Sequence, residues 1–271
     1  MNYRHGYHAG NFADVVKHVA LIAILQHLKK KDTAFAVVDS HAGRGVYDLT
    51  GEMAAKTGEA RGGIARLMNL AGEMPSALAT YLEMVKQNGP ARYPGSPLLA
   101  ARLMRSQDRL TAIEKQPEEF AVLQDALAPF GNAAAEQGDG YARSLKLLPP
   151  PSRRGLVVID PPFEAVDEFE SLARTVTGAV RKFATGIFLI WYPVKSQAGA
   201  DAFVGEVLGG GVQKALSVDT QISAPEGKLD RAGLLVINPP YGFDAEIYAA
   251  AEIIAGPLRA DIAVKWRAGS P

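Results

Sequence analysis

The chain contains no cysteine. Disulfides, thiolate catalysis and thiolate zinc sites are excluded together, which leaves carboxylates, histidines and backbone groups to carry any chemistry. Long apolar runs are missing too. Nothing approaches the roughly 18 to 20 consecutive apolar residues that span a bilayer, and the N-terminal MNYRHGYHAGNF lacks the apolar centre of a secretory signal, so a cytoplasmic location is the default expectation. An excess of one charge is also absent. The 29 basic residues match 29 acidic ones, so no overall field draws the chain to nucleic acid, although a local basic face is compatible with that sum. What is present is apolar material: 271 residues, 48% hydrophobic and 21% charged, suffice for one large core or for one domain with an insertion.

Residues 11–31 place Val15, Val16, Val19, Ile22, Leu25 and Leu28 at helical spacing, with Asn11 as N-cap and Lys29, Lys30 and Lys31 at the end that favours cations. Short apolar runs at 35–39, 110–114, 133–136, 156–160, 187–192, 215–222 and 234–238 then read as seven strands, with helical patterns between several of them. Strands apolar on both faces and separated by helices imply a doubly wound, mostly parallel α/β sheet covered on both sides. About seventy residues separate the first two strands, too many for a simple crossover. Residues 50–95, with amphipathic patterns at 58–70 and 75–86, read as an inserted helical subdomain of a domain formed by 1–49 and 96–271.

Ligands of such sheets bind at the carboxyl ends of the strands, and four of those ends carry suggestive residues. The first runs into Asp39-Ser-His-Ala-Gly43-Arg-Gly45, an acid followed by a turn whose glycines let a backbone approach a ligand closely. Its spacing lacks the glycine array that aims a helix at a pyrophosphate, and suits S-adenosylmethionine better than a dinucleotide; an ordinary turn explains it equally well. Glu114 ends the second strand, where nucleoside sites place a carboxylate for ribose hydroxyls, or where a solvated glutamate simply sits. Gly138-Asp139-Gly140 offers a carboxylate to an adenine amino group, or forms a plain turn.

The fourth end, Asp160-Pro161-Pro162-Phe163, supplies an acceptor carboxylate, a backbone fixed so that the Pro161 carbonyl points outward, and a ring. The exocyclic amine of adenine is a poor nucleophile because its lone pair is delocalised into the ring. Asp160 and the Pro161 carbonyl would hold its hydrogens while Phe163 stacks on the base. The plainer alternative is a strand closed by prolines, with Asp160 capping the next turn. Asn238-Pro239-Pro240-Tyr241 nearly repeats the motif, but at a seventh strand expected to be antiparallel and farther from the donor pocket, leaving Tyr241 to line the substrate mouth.

Around Tyr93-Pro94-Gly95-Ser96-Pro97, Ser96 reads as the N-cap of a helix whose start could meet the donor's carboxylate. The segment from Tyr3 to Asn11 offers stacking rings and phosphate donors for nucleic acid, or a lid over the cofactor. His5 and His8 have no partner at a familiar metal-ligand spacing, and no metal is expected. Lys29, Lys30, Lys31, Arg102, Arg105, Arg153 and Arg154 are candidate phosphate contacts.

The segments YRHGYHAGNFADVVKH, VVDSHAGRG, RYPGSP, GDG, SRRGLVVIDPPF, RKFATG, IWYPV and LLVINPP together resemble the bacterial RlmJ family along nearly the whole chain. The resemblance implies a class I, Rossmann-like S-adenosylmethionine-dependent methyltransferase with a seven-stranded sheet. It would act as a monomer on N6 of one adenine in 23S ribosomal RNA, presented free of most ribosomal proteins. Implied donor-site residues are Lys17, His18, His41, Ser96, Glu114, Asp139, Gly140 and Asp160, joined by Asp39 and Gly43 of the glycine turn. Asp160 would be the catalytic residue, flanked by Pro161 and Phe163, and Tyr3 and Arg4 would touch the RNA under an N-terminal segment folded over the cofactor. Phe163 stands where the family can carry tyrosine, so stacking survives and a hydroxyl contact does not. Rival readings are a DNA adenine-N6 methyltransferase, which shares DPPF, a nicotinamide oxidoreductase, and a noncatalytic RNA-binding protein.

Overall fold

The computed structural model describes residues 4–225 and 227–270. A short 3-10 turn at His5–Tyr7 leads into α1 (Phe12–Lys29), whose first turn is closed by the Asn11 side chain accepting from the Asp14 N–H at 2.9 Å. The chain continues through β1 (Ala36–Asp39), β2 (Val46–Asp48), α2 (Glu52–Thr57), α3 (Glu59–Gly62), α4 (Ser76–Gln87) and β3 (Arg92–Pro94). Then follow α5 (Ser96–Leu103), β4 (Arg109–Glu114), α6 (Pro117–Leu127), β5 (Ala133–Gln137), α7 (Gly140–Lys146), β6 (Gly155–Ile159) and α8 (Glu168–Lys182). The last elements are β7 (Ile187–Pro193), α9 (Gln197–Gly209), β8 (Ala215–Ile222), β9 (Arg231–Ile237), α10 (Phe243–Leu258) and β10 (Ala260–Ala268).

The main sheet has the order β10-β8-β9-β7-β6-β1-β4-β5. The run β5, β4, β1, β6 and β7 is parallel throughout, whereas β9 is antiparallel to both β7 and β8, and β10 is antiparallel to β8. This is the expected doubly wound α/β sheet, with eight strands where seven were expected. The extra strand is β10. At the sheet edge it buries only Val264 and leaves most of its residues half-buried, a weaker signal than the continuous apolar runs of the central strands, and it follows α10 directly through Arg259 in the left-handed region, with no glycine to mark the turn.

Both faces of β6 are buried. Leu156 and Val158 belong to the core beneath α1 and α5, while Val157 and Ile159 belong to the core beneath α8 and α9. Each such side chain contributes about 1.5–3 kcal/mol of transfer free energy. Residues between β2 and β3 join the first of these cores: Leu78, Tyr81 and Leu82 of α4 pack with α1, whose polar residues Asp14, Lys17 and His18 are enclosed as a result. The expected amphipathic stretch 58–70 is broken into α3 and a 3-10 turn. A Cβ on Gly63 would lie 2.1 Å from the Gly10 carbonyl oxygen, which accepts from the Ile64 N–H at 2.8 Å, so the backbone of the insertion rests directly on the N-terminal segment.

Because β9 runs against β7, its end lies beside the start of β7. The Asn238 amide donates to the carbonyls of Ala184 and Gly186, at 2.9 and 2.8 Å. Tyr241 is therefore at the sheet edge opposite the carboxyl ends of the parallel strands, and it does not line a substrate mouth there. The same edge takes Arg105 and Arg154, which donate to the carbonyls of Lys31, Thr33 and Leu28 and lie over the Phe35 ring, bracing the loop before β1. Among the described residues no helix is long and apolar enough to cross a membrane.

Candidate functional site

The carboxyl ends of β1, β4, β5 and β6 surround a cavity of about 460 Å³. At the end of β1, Asp39 is buried and accepts from the Ser96 hydroxyl at 2.7 Å; burial pushes its carboxyl up to about 6, against the opposing pull of that bond. Its other oxygen, Oδ1, has no partner among the described residues. Ser96, expected as an N-cap, is instead the first residue of α5 after the cap Gly95, because its hydroxyl is drawn to Asp39. Ser96 lines the cavity, whereas Asp39 lies beneath it.

His41 and Gly43 also line the cavity. Burial lowers His41 to about 4, so its ring is neutral at neutral pH; it meets the Tyr141 ring edge-on at 4.8 Å. Gly43 has φ +60°, and a Cβ there would fall 2.1 Å from the Tyr47 hydroxyl, so packing as well as conformation demands glycine. Its N–H donates to Glu114 Oε2 at 2.9 Å, and the Gln116 N–H donates to Oε1 at 2.7 Å. Glu114 is thereby fixed with acceptor capacity left on each oxygen, and burial raises its carboxyl despite those bonds. Asp139 caps α7 through the Ala142 N–H at 3.1 Å and pairs with Lys115 at 3.1 Å. At Gly140 a Cβ would be 1.9 Å from the Ser40 carbonyl oxygen, so β1 and α7 approach as backbones.

Asp160, just beyond β6, pairs with the Lys17 ammonium, which also meets Asp14 Oδ1 at 2.8 Å. Burial opposes the ammonium, yet Asp14 and Asp160 together hold it well above the usual lysine value. His18 lies beside them. Its Nδ1 is 2.7 Å from the Tyr93 hydroxyl, its Nε2 has no hydrogen-bond partner among the described residues and lies 4.0 Å from Asp14 Oδ1, and burial lowers it to about 3.

A second cavity of about 180 Å³ adjoins the first. His5, Lys17, Asp160 and Pro162 border both. Phe163 lines the second, at φ +51°, with Phe169 and Trp191 at ring distances of 4.8 and 5.8 Å. Pro161 is buried and lines neither. Arg4 is exposed and paired with Glu118 at 2.8 Å, while Tyr3 lies outside the described residues. Asp14, Tyr141 and Trp191 were given no role from the sequence, although Asp14 and Trp191 lie within the family-like segments. Asp14 had a signal, being a carboxylate three residues before Lys17 inside an apolar helix; Trp191 belongs to the family-like IWYPV, but IFLIWY reads as strand core and gave it no place in the site.

A sequence profile of the family described as "Ribosomal RNA large subunit methyltransferase D, RlmJ" matches residues 32–268. The chain belongs to the RlmJ family. It is 36% identical over 253 residues to "Ribosomal RNA large subunit methyltransferase J" of Escherichia coli (strain K12), covering 91% of this chain and 90% of that protein. Identity to the protein of the same name from Haemophilus influenzae is 35% over 254 residues, with the same coverage. A crystal structure of protein LPL1258 from Legionella pneumophila superposes with a TM-score of 0.88 at 32% identity, covering 97% of this chain and 99% of that one. As an RlmJ-family protein the chain is a methyltransferase, and the strand-end cavity is where its fold presents polar groups to a ligand.

Proposed function

We propose that this RlmJ-family methyltransferase transfers a methyl group from S-adenosylmethionine to N6 of a specific adenine in 23S ribosomal RNA. The reading is carried by the position of Asp160, which borders both cavities and so stands where a donor in one would meet a base in the other. The larger cavity fits the donor. Asp39 Oδ1 and His18 Nε2 are buried polar atoms without hydrogen-bond partners among the described residues, Glu114 is anchored to accept from ribose hydroxyls, and Gly140 lines the cavity where the backbones after β1 and at the start of α7 meet. When bound, S-adenosylmethionine would supply an electrophilic methyl: its carbon–sulfur bond would break as the amine's electron pair forms the carbon–nitrogen bond, the thioether leaving and the surplus amino proton passing to solvent.

The protein's own part is positioning. Asp160 accepts from the adenine amino group, which aligns the nitrogen lone pair and favours the positive charge that develops on it. Lys17 holds one oxygen of that carboxylate and leaves the other for the base. Phe163 and Trp191 give the smaller cavity an aromatic wall on which a base taken out of its stack can rest. Pro193 and the exposed Lys195 continue that wall to the rim, where an ammonium suits the phosphate of the same nucleotide. RNA stripped of most ribosomal proteins is the favoured substrate, since the base must leave its helix to reach Asp160.

The test is transfer of tritiated methyl to deproteinised 23S ribosomal RNA, assembled large subunits and duplex DNA, followed by nucleoside analysis. N6-methyladenosine from one site in the naked RNA supports the reading. Label in DNA alone, or on another atom, overturns it.

A further inference from the structure

Asp14 takes no part in the reaction as described, yet its carboxylate is only 2% exposed. A charge so enclosed is costly unless it is paired and hydrogen-bonded. Three groups converge on it within hydrogen-bonding distance, and His18 Nε2 stands 4.0 Å from Oδ1. The Gly10 N–H donates to Oδ2 at 2.9 Å, His5 Nε2 lies 2.9 Å from the same oxygen, and Lys17 Nζ lies 2.8 Å from Oδ1. On its far side the Lys17 ammonium meets Asp160. One carboxylate thus ties the N-terminal segment, through His5 and Gly10, to the lysine that orients the group at the junction of the two cavities.

We propose that Asp14 is a positioning residue, clamping Lys17 against Asp160 and locking the N-terminal segment to that pair. The proposal rests on the reading of Asp160 as the group that touches the acceptor amine, and adds how Asp160 is held. With Asp160 as its one partner, an ammonium on a four-carbon stem would keep several rotamers; two carboxylates from different elements leave it one. The groups around Lys17 are Asp14 on its own helix, Asp160 after β6, Asp39 at the end of β1, Tyr81 on α4 and the neighbouring His18, with His5 across Asp14. Burial opposes the Lys17 charge and is overcome by Asp14 and Asp160 together, so loss of Asp14 brings the lysine's titration down.

The experiment compares the full-length wild type with Asp14→Asn and Asp14→Glu in single-turnover methyl transfer, from about pH 6 to about pH 10. Asp14→Asn is expected to lower the transfer rate about tenfold or more, with RNA KM and S-adenosylhomocysteine affinity within about twofold of wild type. The alkaline limb of its pH profile moves to lower pH, and Asp14→Glu restores most of both. A rate loss equal at every pH, or one confined to KM, overturns the clamp. Carbon-13 NMR of Lys17 follows its titration without turnover: a midpoint lowered by Asp14→Asn supports the proposal and an unchanged one refutes it, even if wild-type assays showed the acceptor reading to be wrong. Should Asp14→Asn not fold, Lys17→Met and the double variant Asp14→Asn/Lys17→Met, both of which take the ammonium from Asp160 and so differ in Asp14 alone, replace it. Equal single-turnover rates support the clamp, and a further loss of about tenfold on adding Asp14→Asn overturns it.

Discussion

The Ser96 hydroxyl donates to Asp39 Oδ2 at 2.7 Å, while the second oxygen of the same buried carboxylate has no partner among the described residues. Burial raises this acid from its ordinary 3.8 to about 6, so the folded chain retains a proton that the unfolded chain has released. The resulting penalty is absent below about pH 3.8 and complete above about pH 6. Asp39→Asn should therefore stabilise the ligand-free protein at neutral pH by up to about 3 kcal/mol, a gain that fades toward pH ~4, while weakening S-adenosylhomocysteine binding. Thermal melts at the two pH values check this; melting temperatures unchanged at both would refute it.

Asp160→Ala removes the acceptor at the junction of the cavities. Methyl transfer is expected to fall at least about 100-fold, as for loss of other groups aligned on a reacting centre, with S-adenosylhomocysteine binding still measurable by calorimetry. Full activity in this variant is incompatible with the proposed role.

Gly140→Ala forces a methyl group to within 1.9 Å of the Ser40 carbonyl oxygen. Backbone must move, and a loss of about 1–3 kcal/mol in denaturant unfolding is expected together with weaker donor binding. Unchanged stability would mean that β1 and α7 do not approach so closely.

Trp191→Ala strips the aromatic wall of the smaller cavity. Stacking of one base contributes about 1–3 kcal/mol, so kcat/KM for RNA should drop about 10- to 100-fold with donor affinity unaffected. Phe163→Tyr keeps the ring and should keep the activity. Loss of donor binding in Trp191→Ala would assign the cavity differently.

Arg105→Ala and Arg154→Ala remove donors to the carbonyls around Phe35, at the edge away from both cavities. Each should lower the melting temperature and leave the salt dependence of RNA binding alone. A salt slope reduced by about one per arginine would return them to the phosphate contacts.

Local patterning made the scaffold legible. Continuous apolar runs of strand length, separated by amphipathic segments, can satisfy burial on both faces only inside a covered parallel sheet, and the motifs at four strand ends must then share one edge. The seven apolar runs correspond to β1, β4, β5, β6, β7, β8 and β9, whereas the short β2 and β3 and the half-buried edge strand β10, with Val264 its single buried residue, carry little such signal. What tertiary structure alone decided are the encounters between distant residues. Lys17 meets Asp160 across 143 positions, Ser96 leaves its capping role for Asp39, and the antiparallel course of β9 carries Tyr241 to the opposite edge. Composition and spacing determine which segments are buried, because that depends on near neighbours along the chain. Which buried charge meets which depends on how helices and strands are layered in space, and no local periodicity records it.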